Sequence, residues 1–459
     1  MADRGSVATR SHSDDVAALV AQYARLPAGA PVRLAKPTSN LFRFRDPAAG
    51  PGLDVGRFNR VLEVDTANRT AQVQGMATYE QIVDALLPSG HIPLVVPQLK
   101  TITLGGAVAG LGIESSSFRS GLPHESVREL EVLTGSGEVV RARPDNEHAE
   151  LFRGFPNSYG TLGYSLRLEI ELERVRPYVR LEHVRFGTAR ECADAIAQIC
   201  RDRSYDGRPV DFLDGTAFNA REQYLTIGSY VDEAPRTSDY TGQQVYYRSI
   251  QQRRTDHLTT HDYLWRWDTD WFWCSRAFGA QHPLVRRLWP RRYRRSDVYR
   301  RIVAWDRRHA LTDRLAVLRG RGLNEPVIQD VEIPVDRLPE FLEFFHRDIG
   351  ISPVWLCPVQ LRDAKGWPLY PMDPDVLYVN VGFWSTVPLR RGEAPGRHNR
   401  AIERVVTELD GHKSLYSNSY FTEEEFWRLY NQPAYQQLKE RYDPQRRLPG
   451  LYEKCVREK

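Results

Sequence analysis

Apolar positions recur along the chain with two different periods. Over residues 13–26, Val16, Leu19, Val20 and Tyr23 return at helical spacing behind Ser13, a capping residue, which predicts an amphipathic helix. Over residues 60–74 the pattern turns extended: Val61, Leu62 and Val64 run into a polar turn at 65–69, and 71–73 run out of it, which predicts a hairpin. Thr78 and Gln81 then form a T-x-x-Q capping box ahead of Ile82, Val83, Leu86 and Leu87, the apolar face of a helix that Pro88-Ser89-Gly90 stops. An apolar run at 92–96 reads as a strand. Residues 127–133 and 138–142 form a second predicted hairpin around Gly135-Ser136-Gly137, followed by a short helix at 145–152 and an alternating strand at 165–172. Strands and helices interleave without a repeating crossover unit, so the class is α+β.

The stretch 96–117, VPQLKTITLGGAVAGLGIESSS, interrupts this pattern. It places Gly105, Gly106, Gly110 and Gly112 within eight residues and follows them with Glu114 and three serines. Such glycine density lets a backbone approach a ligand closely and present N–H groups to an anionic or planar group, a phosphate or a flavin; a tight turn in a β-rich domain would look similar. Neither GxxxxGK[ST] nor a strand-GxGxxG-helix unit is present, so neither a P-loop nor a dinucleotide fold of the Rossmann kind is supported. Two further clusters accompany it: the turn-rich KPTSNL at 36–41, with one cation and two hydroxyls, and FPNSYGTLGY at 155–164.

Length and charge narrow the class further. A chain of 459 residues holds two or three domains, and 63 basic against 59 acidic residues give no bulk charge that would dictate a partner. Five scattered cysteines match neither a disulfide framework nor a CxxC metal site, and no stretch approaches 18 apolar residues. The polar N-terminus has no apolar signal core, so the expectation is a cytoplasmic protein. The segment 261–301 stands out: it holds Trp265, Trp267, Trp271, Trp273 and Trp289, half of the ten tryptophans, then Arg286, Arg287, Arg291, Arg292, Arg294 and Arg295. Interfacial tryptophans with arginines suit a peripheral contact with an anionic membrane, on the inner face in a cytoplasmic protein; a core aromatic cluster beside a solvated basic face is the plainer alternative. Nucleic acid is disfavoured as a partner, because no RNA- or DNA-binding module accompanies the segment.

The order KPTSNL, EVDTANRTAQVQG, TYEQIVDALLPSGHIPLVVPQLKTITLGGAVAGLGIESSS, LTGSGEVVRA and FPNSYGTLG resembles the PCMH-type FAD-binding domain of the vanillyl-alcohol-oxidase flavoproteins. GIESSS followed by GTLG, with VIQDVEIPVDRL, SPVWLCPVQL, DVLYVNVGFW, LYSNSYFTEEEFW and PGLYEKC further on, looks like the Δ24-sterol reductase branch. The resemblance implies a two-part FAD-binding domain over 10–177, a substrate-binding cap domain with an antiparallel sheet over 178–399, and a helical segment over 400–459 returning to the first. It implies non-covalent FAD, since neither ligand loop holds a His or Cys, although His124 lies just downstream. The pyrophosphate would lie between Lys36, Pro37, Thr38, Ser39, Asn40 and Leu41 on one side and Pro97, Thr101, Thr103, Leu104, Gly105 and Gly106 on the other. The isoalloxazine would run past Gly110, Gly112, Ile113, Glu114 and Ser115, with Gly160, Thr161 and Gly163 near the adenine side or ribityl chain.

The implied activity is reduction of an isolated C=C bond in a lipid, with NADPH as reductant. No carbonyl polarises such a bond, so chemistry favours protonation towards a tertiary carbocation with hydride from flavin N5. A sterol side chain and a methylene-branched fatty acyl chain both meet that demand. The apolar membrane segment with which the sterol reductases begin is not seen in this sequence, and both substrates stay open. An alcohol or sugar oxidase or dehydrogenase, and a lipid-binding flavoprotein without turnover, are the alternatives. The acid must stay protonated in an apolar site. Glu114 is the first candidate, beside the flavin in the resemblance; Asp330 and Glu332, alternating on one predicted strand, come next, and His261, Tyr263 and Tyr420 after them.

Overall fold

A computed structural model describes residues 11–36, 42–43, 52–309, 324–390 and 392–456. The first helix, His12–Ala24, begins one turn-position earlier than its apolar pattern suggests. Ser11, not Ser13, caps it: the Ser11 hydroxyl accepts from the Asp14 N–H while the Asp14 carboxylate accepts from the Ser11 N–H. The Thr78–Gln81 box caps Tyr79–Leu86 as the sequence indicates. Both hairpins form, Val61–Asp65 with Thr70–Gln74 and Val127–Thr134 with Val139–Ala142. Between them lies the long strand Gly163–Arg174, which pairs with Thr70–Gln74, Val127–Thr134 and, at its far end, His91–Pro93. Alternation explains why it can sit centrally: Leu166, Leu168, Ile170 and Leu172 are all buried, and the residues between them are not. The short helix is observed at Ala149–Gly154, later than expected, because His148 and not Asp145 precedes its first turn.

Among the described residues the second sheet has eight strands, all antiparallel, in the order Thr255–Thr259, Tyr178–Phe186, Glu222–Val231, Phe212–Asn219, Val354–Val359, Tyr378–Pro388, Asn324–Pro334 and His412–Lys413. Its two faces have different neighbours. Val354, Leu356, Val327, Val331 and Val381 pack on the helices Ala189–Asp202, Leu338–Phe344 and Arg397–Glu408. Trp355, Cys357, Val359 and Tyr378 point the other way and share a core with the first sheet's domain. A period of two thus places every second side chain of the central strands in the space between the two halves. The last helices, Gln432–Tyr442 and Leu451–Cys455, lie against the first domain: the buried Lys439 ammonium, paired with Asp443 at 2.6 Å, donates to the Thr161 carbonyl at 2.8 Å, and Lys454 donates to the Tyr159 carbonyl at 2.6 Å.

The tryptophan-rich segment does not lie on the surface as an interfacial belt would. Trp265, Trp267, Trp271 and Trp273 are buried, so that part of the membrane reading gives way to the aromatic-core alternative. Asp214, on a central strand, fixes the segment in place. Its Oδ2 accepts from the Arg266 guanidinium at 3.0 Å, the Trp267 indole at 3.0 Å and the Trp355 indole at 3.1 Å. Arg266 and Asp214 are each about 1% exposed. Removing one partner of a buried ion pair strands the other charge and costs roughly 3–5 kcal/mol. Asp214→Ala is therefore expected to lower the free energy of urea unfolding by about that amount; a loss under about 1 kcal/mol, the worth of an exposed pair, would show that the pair is not what holds the segment.

Candidate active site

A cavity of about 850 Å³ opens between the two halves, within the range of sites that enclose a sizeable ligand. One wall is the glycine-rich stretch, and its local fold follows from its residues. Thr103 caps a short helix, Leu104–Ala109, its hydroxyl accepting from the Gly106 N–H at 3.2 Å. Leu104, Ala107 and Val108 go into the core, and Gly105 lies against Gly75, whose carbonyl takes the Gly105 N–H at 2.8 Å. Gly106 is the exposed position of this helix and faces the cavity. Side chains at Gly110 and Gly112 would meet Tyr159 and Pro123, at 3.2 and 3.0 Å from the Cβ, so both must stay small for the wall to exist. After it, the three serines build the turn that carries Glu114: Ser117 Oγ accepts from the Glu114 N–H at 2.9 Å, Ser116 Oγ donates to the Leu94 carbonyl at 2.8 Å, and Ser115 Oγ lies 2.8 Å from the Tyr263 hydroxyl.

Many of the residues singled out in the sequence line this one space: Lys36, Pro97, Thr101, Thr103, Gly105, Gly106, Gly110, Gly112, Ile113, Glu114, Gly160, Gly163 and Asp330. Leu104 lies instead in the core beneath. Thr161 donates its hydroxyl to Ser158, and Ser115 turns towards Tyr263. Pro37, Thr38, Ser39, Asn40 and Leu41 fall outside the described residues. His261, Tyr263 and Tyr420 are not in the cavity wall, and neither is His124, whose buried ring packs edge-on against Trp367 at 4.4 Å. Cys274 does line it, and burial pushes its thiol up to about 12, so it stays protonated and weakly nucleophilic.

The three carboxyl groups differ in what holds them. Glu114 is bound at both oxygens by Gln98, through its backbone N–H at 2.7 Å and its side-chain amide, and burial still pushes it up to about 8. Asp330 accepts from Asn380 Nδ2 at 3.1 Å and from the Tyr416 hydroxyl; burial pushes it up to about 6, with those two bonds acting against the shift. Tyr416 in turn takes a bond from the Trp384 indole at 2.9 Å. Glu332 shares Asp330's face of the strand Asn324–Pro334 but lies deeper, bonded by Tyr370 and Ser414 and outside the cavity wall. Burial first, and the neighbouring Asp330 charge second, hold it well above the usual carboxylate range.

The sequence does not place two groups of lining residues at the site. The first is cationic: Arg33, Arg43 and Lys454 join Lys36 in the wall, with Arg43 held over the Tyr159 ring at 4.6 Å. The second is aromatic: Trp271, Phe272, Trp273, Trp355 and Trp384 surround the Asp330 end. Trp271, Phe272 and Trp273 all have left-handed backbones, φ 54°, 47° and 63°, a conformation costing on the order of 1–3 kcal/mol per bulky residue and typical of sites where the surroundings impose it.

These residues fit FAD. The cations and the open glycine helix suit a diphosphate, and buried polar atoms of Thr101, Gln98 and Asn380 in the wall have no protein partner, as expected where an elongated polar ligand supplies one. The N–H groups of Leu104 and Gly105 are used by Ala77 and Gly75, so the donors left in that stretch include the Thr101 hydroxyl.

The fold and cavity are those of a flavoprotein, and residues 6–143 match the family described as FAD binding domain. The chain is 27% identical to Delta(24)-sterol reductase of Arabidopsis thaliana over 436 residues, 85% of this chain and 74% of that protein. It is 26% identical to the Homo sapiens Delta(24)-sterol reductase over 421 residues, 86% and 76% of the two chains. A shorter match, 31% over 121 residues, joins it to decaprenylphosphoryl-beta-D-ribose oxidase of Mycolicibacterium smegmatis, 26% of each chain. The protein is thus an FAD-dependent oxidoreductase with an α+β FAD-binding domain, and over most of its length it is similar to the Δ24-sterol reductases, in line with the motifs. Gly106→Val and Gly160→Val are each expected to purify folded by circular dichroism but with less than about a tenth of the wild-type flavin, because both positions line the cavity and a branched side chain would fill it at the first and crowd Tyr164, 3.1 Å from an added Cβ, at the second. Full flavin in both would place the cofactor elsewhere.

Proposed function

We propose that the protein reduces an isolated carbon–carbon double bond in a lipid, the alkene being that of a methylene-branched fatty acyl chain or of a sterol side chain. The observation that carries this reading is the buried carboxyl of Asp330, raised to about 6 and set among aromatic side chains in the same cavity as the glycine-rich wall. When bound, FAD supplies two-electron hydride chemistry, with NADPH as its reductant.

The protein's own groups supply the rest. An alkene with one fully substituted carbon takes a proton at the other carbon and becomes a tertiary cation, so the site must hold a proton donor, tolerate positive charge and exclude water. Asp330 is the donor; once it has given up its proton, the carboxylate is stabilised by the bonds from Asn380 Nδ2 and Tyr416. The faces of Trp271, Phe272 and Trp384 favour a passing cation and keep out the water that would capture it. Glu114, tied at both oxygens to Gln98, positions the turn beside the glycine wall and is the second candidate for the acid. Glu332 stays neutral behind Asp330 and does not reach the alkene.

Rapid mixing of the holoenzyme with NADPH, NADH and simple alcohols separates this reading from an alcohol oxidase: the flavin is expected to bleach with NADPH and be reoxidised by the lipid alkene, whereas bleaching by alcohols alone would overturn the reductase. Asp330→Asn is expected to keep its flavin and its bleaching by NADPH but to slow alkene reduction by about 10²- to 10⁴-fold. Because the donor must be protonated, alkene reduction is expected to be full at low pH and to be lost as pH rises through about 6. A limb near 8, which Glu114→Gln removes, would assign the proton to Glu114 instead.

A further inference from the structure

The arginine-rich half of the segment 261–301 has a surface that its buried tryptophans do not explain. Among the described residues, the large apolar side chains with substantial exposure include Leu284 at 67%, Leu288 at 84%, Val285 at 38% and Tyr293 at 43%, all within ten residues. Leu284 and Leu288 stand one helical turn apart on the helix Pro283–Leu288. This helix is not loose. Its other side carries Arg286, which is buried and donates to the main-chain carbonyls of Tyr240, Gly242 and Gln244 at 2.7–2.9 Å, and Arg294 grips the carbonyls of Thr241, Gly242, Arg286 and Trp289 just beyond. Two arginines are thus spent on anchoring a short helix whose outward residues are leucines.

The charge around those leucines is predominantly basic. Residues 276–305 contain nine arginines and a single acidic residue, Asp297, which is paired with Arg295 and Arg301. Arg287, Arg291 and Arg292 are exposed beside the leucines; Arg291 also reaches Asp239 at 2.9 Å. The same stretch forms part of the cavity mouth: Arg276 and Ala277 are exposed and line the cavity, as does Val303 on the following helix, and a Trp289–Tyr299 ring contact at 6.1 Å joins that helix to the leucine-bearing one.

We infer that this face docks on an anionic lipid bilayer, with Leu284 and Leu288 inserted among the headgroups, Arg287 and Arg292 on lipid phosphates, and the cavity mouth held against the membrane so that the substrate enters without crossing water. The inference rests on the lipid-alkene reading above. Exposed leucines flanked by arginines match the amphipathic boundary of a bilayer, apolar below and anionic above. A second copy of the chain is a poor occupant, since a twofold pairing would bring two sets of like-charged arginines together.

The holoenzyme is tested by co-sedimentation with vesicles of phosphatidylcholine alone and of phosphatidylcholine with phosphatidylglycerol. Binding is expected to the mixed vesicles only and to weaken as salt rises. Leu284→Asp with Leu288→Asp, and separately Arg287→Glu with Arg292→Glu, should each weaken it by at least about tenfold. Both double variants should reduce detergent-dispersed lipid alkene at the wild-type rate and lose activity on alkene embedded in vesicles. Wild-type binding in both variants, or no binding by the wild-type protein, would overturn the docking face; a dimer that the leucine variant converts to monomer, without vesicle binding, would assign the face to a second copy. Absence of alkene reduction in detergent, with vesicle binding intact, would overturn the functional reading and leave the docking face standing.

Discussion

Asp214 holds the two halves of the active cavity in register. A single carboxylate oxygen collects a guanidinium from Arg266 and indole N–H groups from Trp267 and Trp355, and so ties the chain after residue 260 to the centre of the larger sheet. Everything at the aromatic end follows from that tie. Phe272 stacks on Trp267 with centroids 5.0 Å apart and touches Trp384 at 4.6 Å, and Arg266 lies over the Tyr263 ring at 3.9 Å. Tyr263 meets Ser115, one residue past Glu114, so the same knot reaches the turn at the end of the glycine stretch. A charge buried this deeply is costly to strand, which makes the knot stringent about its neighbours.

Position along the strand, and not its alternation, decides which carboxyl can do chemistry. Asp330 and Glu332 share one face of a strand and differ by two residues, yet one reaches the cavity and the other lies behind it. The cross-strand partner of Asp330 is Gly382, and any side chain there would run into the Asp330 carboxylate. A glycine in the middle of a sheet is destabilising by about 0.5–1 kcal/mol relative to alanine, and here it leaves room for the acid.

The sequence showed the first half of the site and little of the second, for a physical reason. The glycine-rich wall is built from short, local features, glycines, a capping Thr103 and the GIESSS turn, and these sit within one stretch and carry a recognisable order. Its helix, Leu104–Ala109, is not legible in the periodicity, because the glycine at 105 is stabilised there by close packing against Gly75 and the neighbouring strand, which no local pattern reveals. The opposite end is assembled from positions spread over more than a hundred residues: Trp271, Asp330, Asn380, Trp384 and Tyr416 meet only through sheet order. The tryptophans were visible as a cluster, but whether they faced water or each other depended on Asp214, about fifty residues upstream and unremarkable in its own surroundings. Arg286 and Arg294 misled in the same manner, since a buried arginine bonded to carbonyls and a solvated one are identical in sequence.

The three consecutive left-handed residues Trp271, Phe272 and Trp273 set a limit on how this protein could be improved. Glycine or asparagine at any of them would relieve about 1–3 kcal/mol of backbone strain but forfeit about 3–5 kcal/mol of buried aromatic packing, so stability alone already selects against such changes. Each would also delete part of the wall around Asp330. Stability and the cavity wall therefore hold the same three positions in the same direction, and variants selected only for heat resistance should be expected to leave them unchanged.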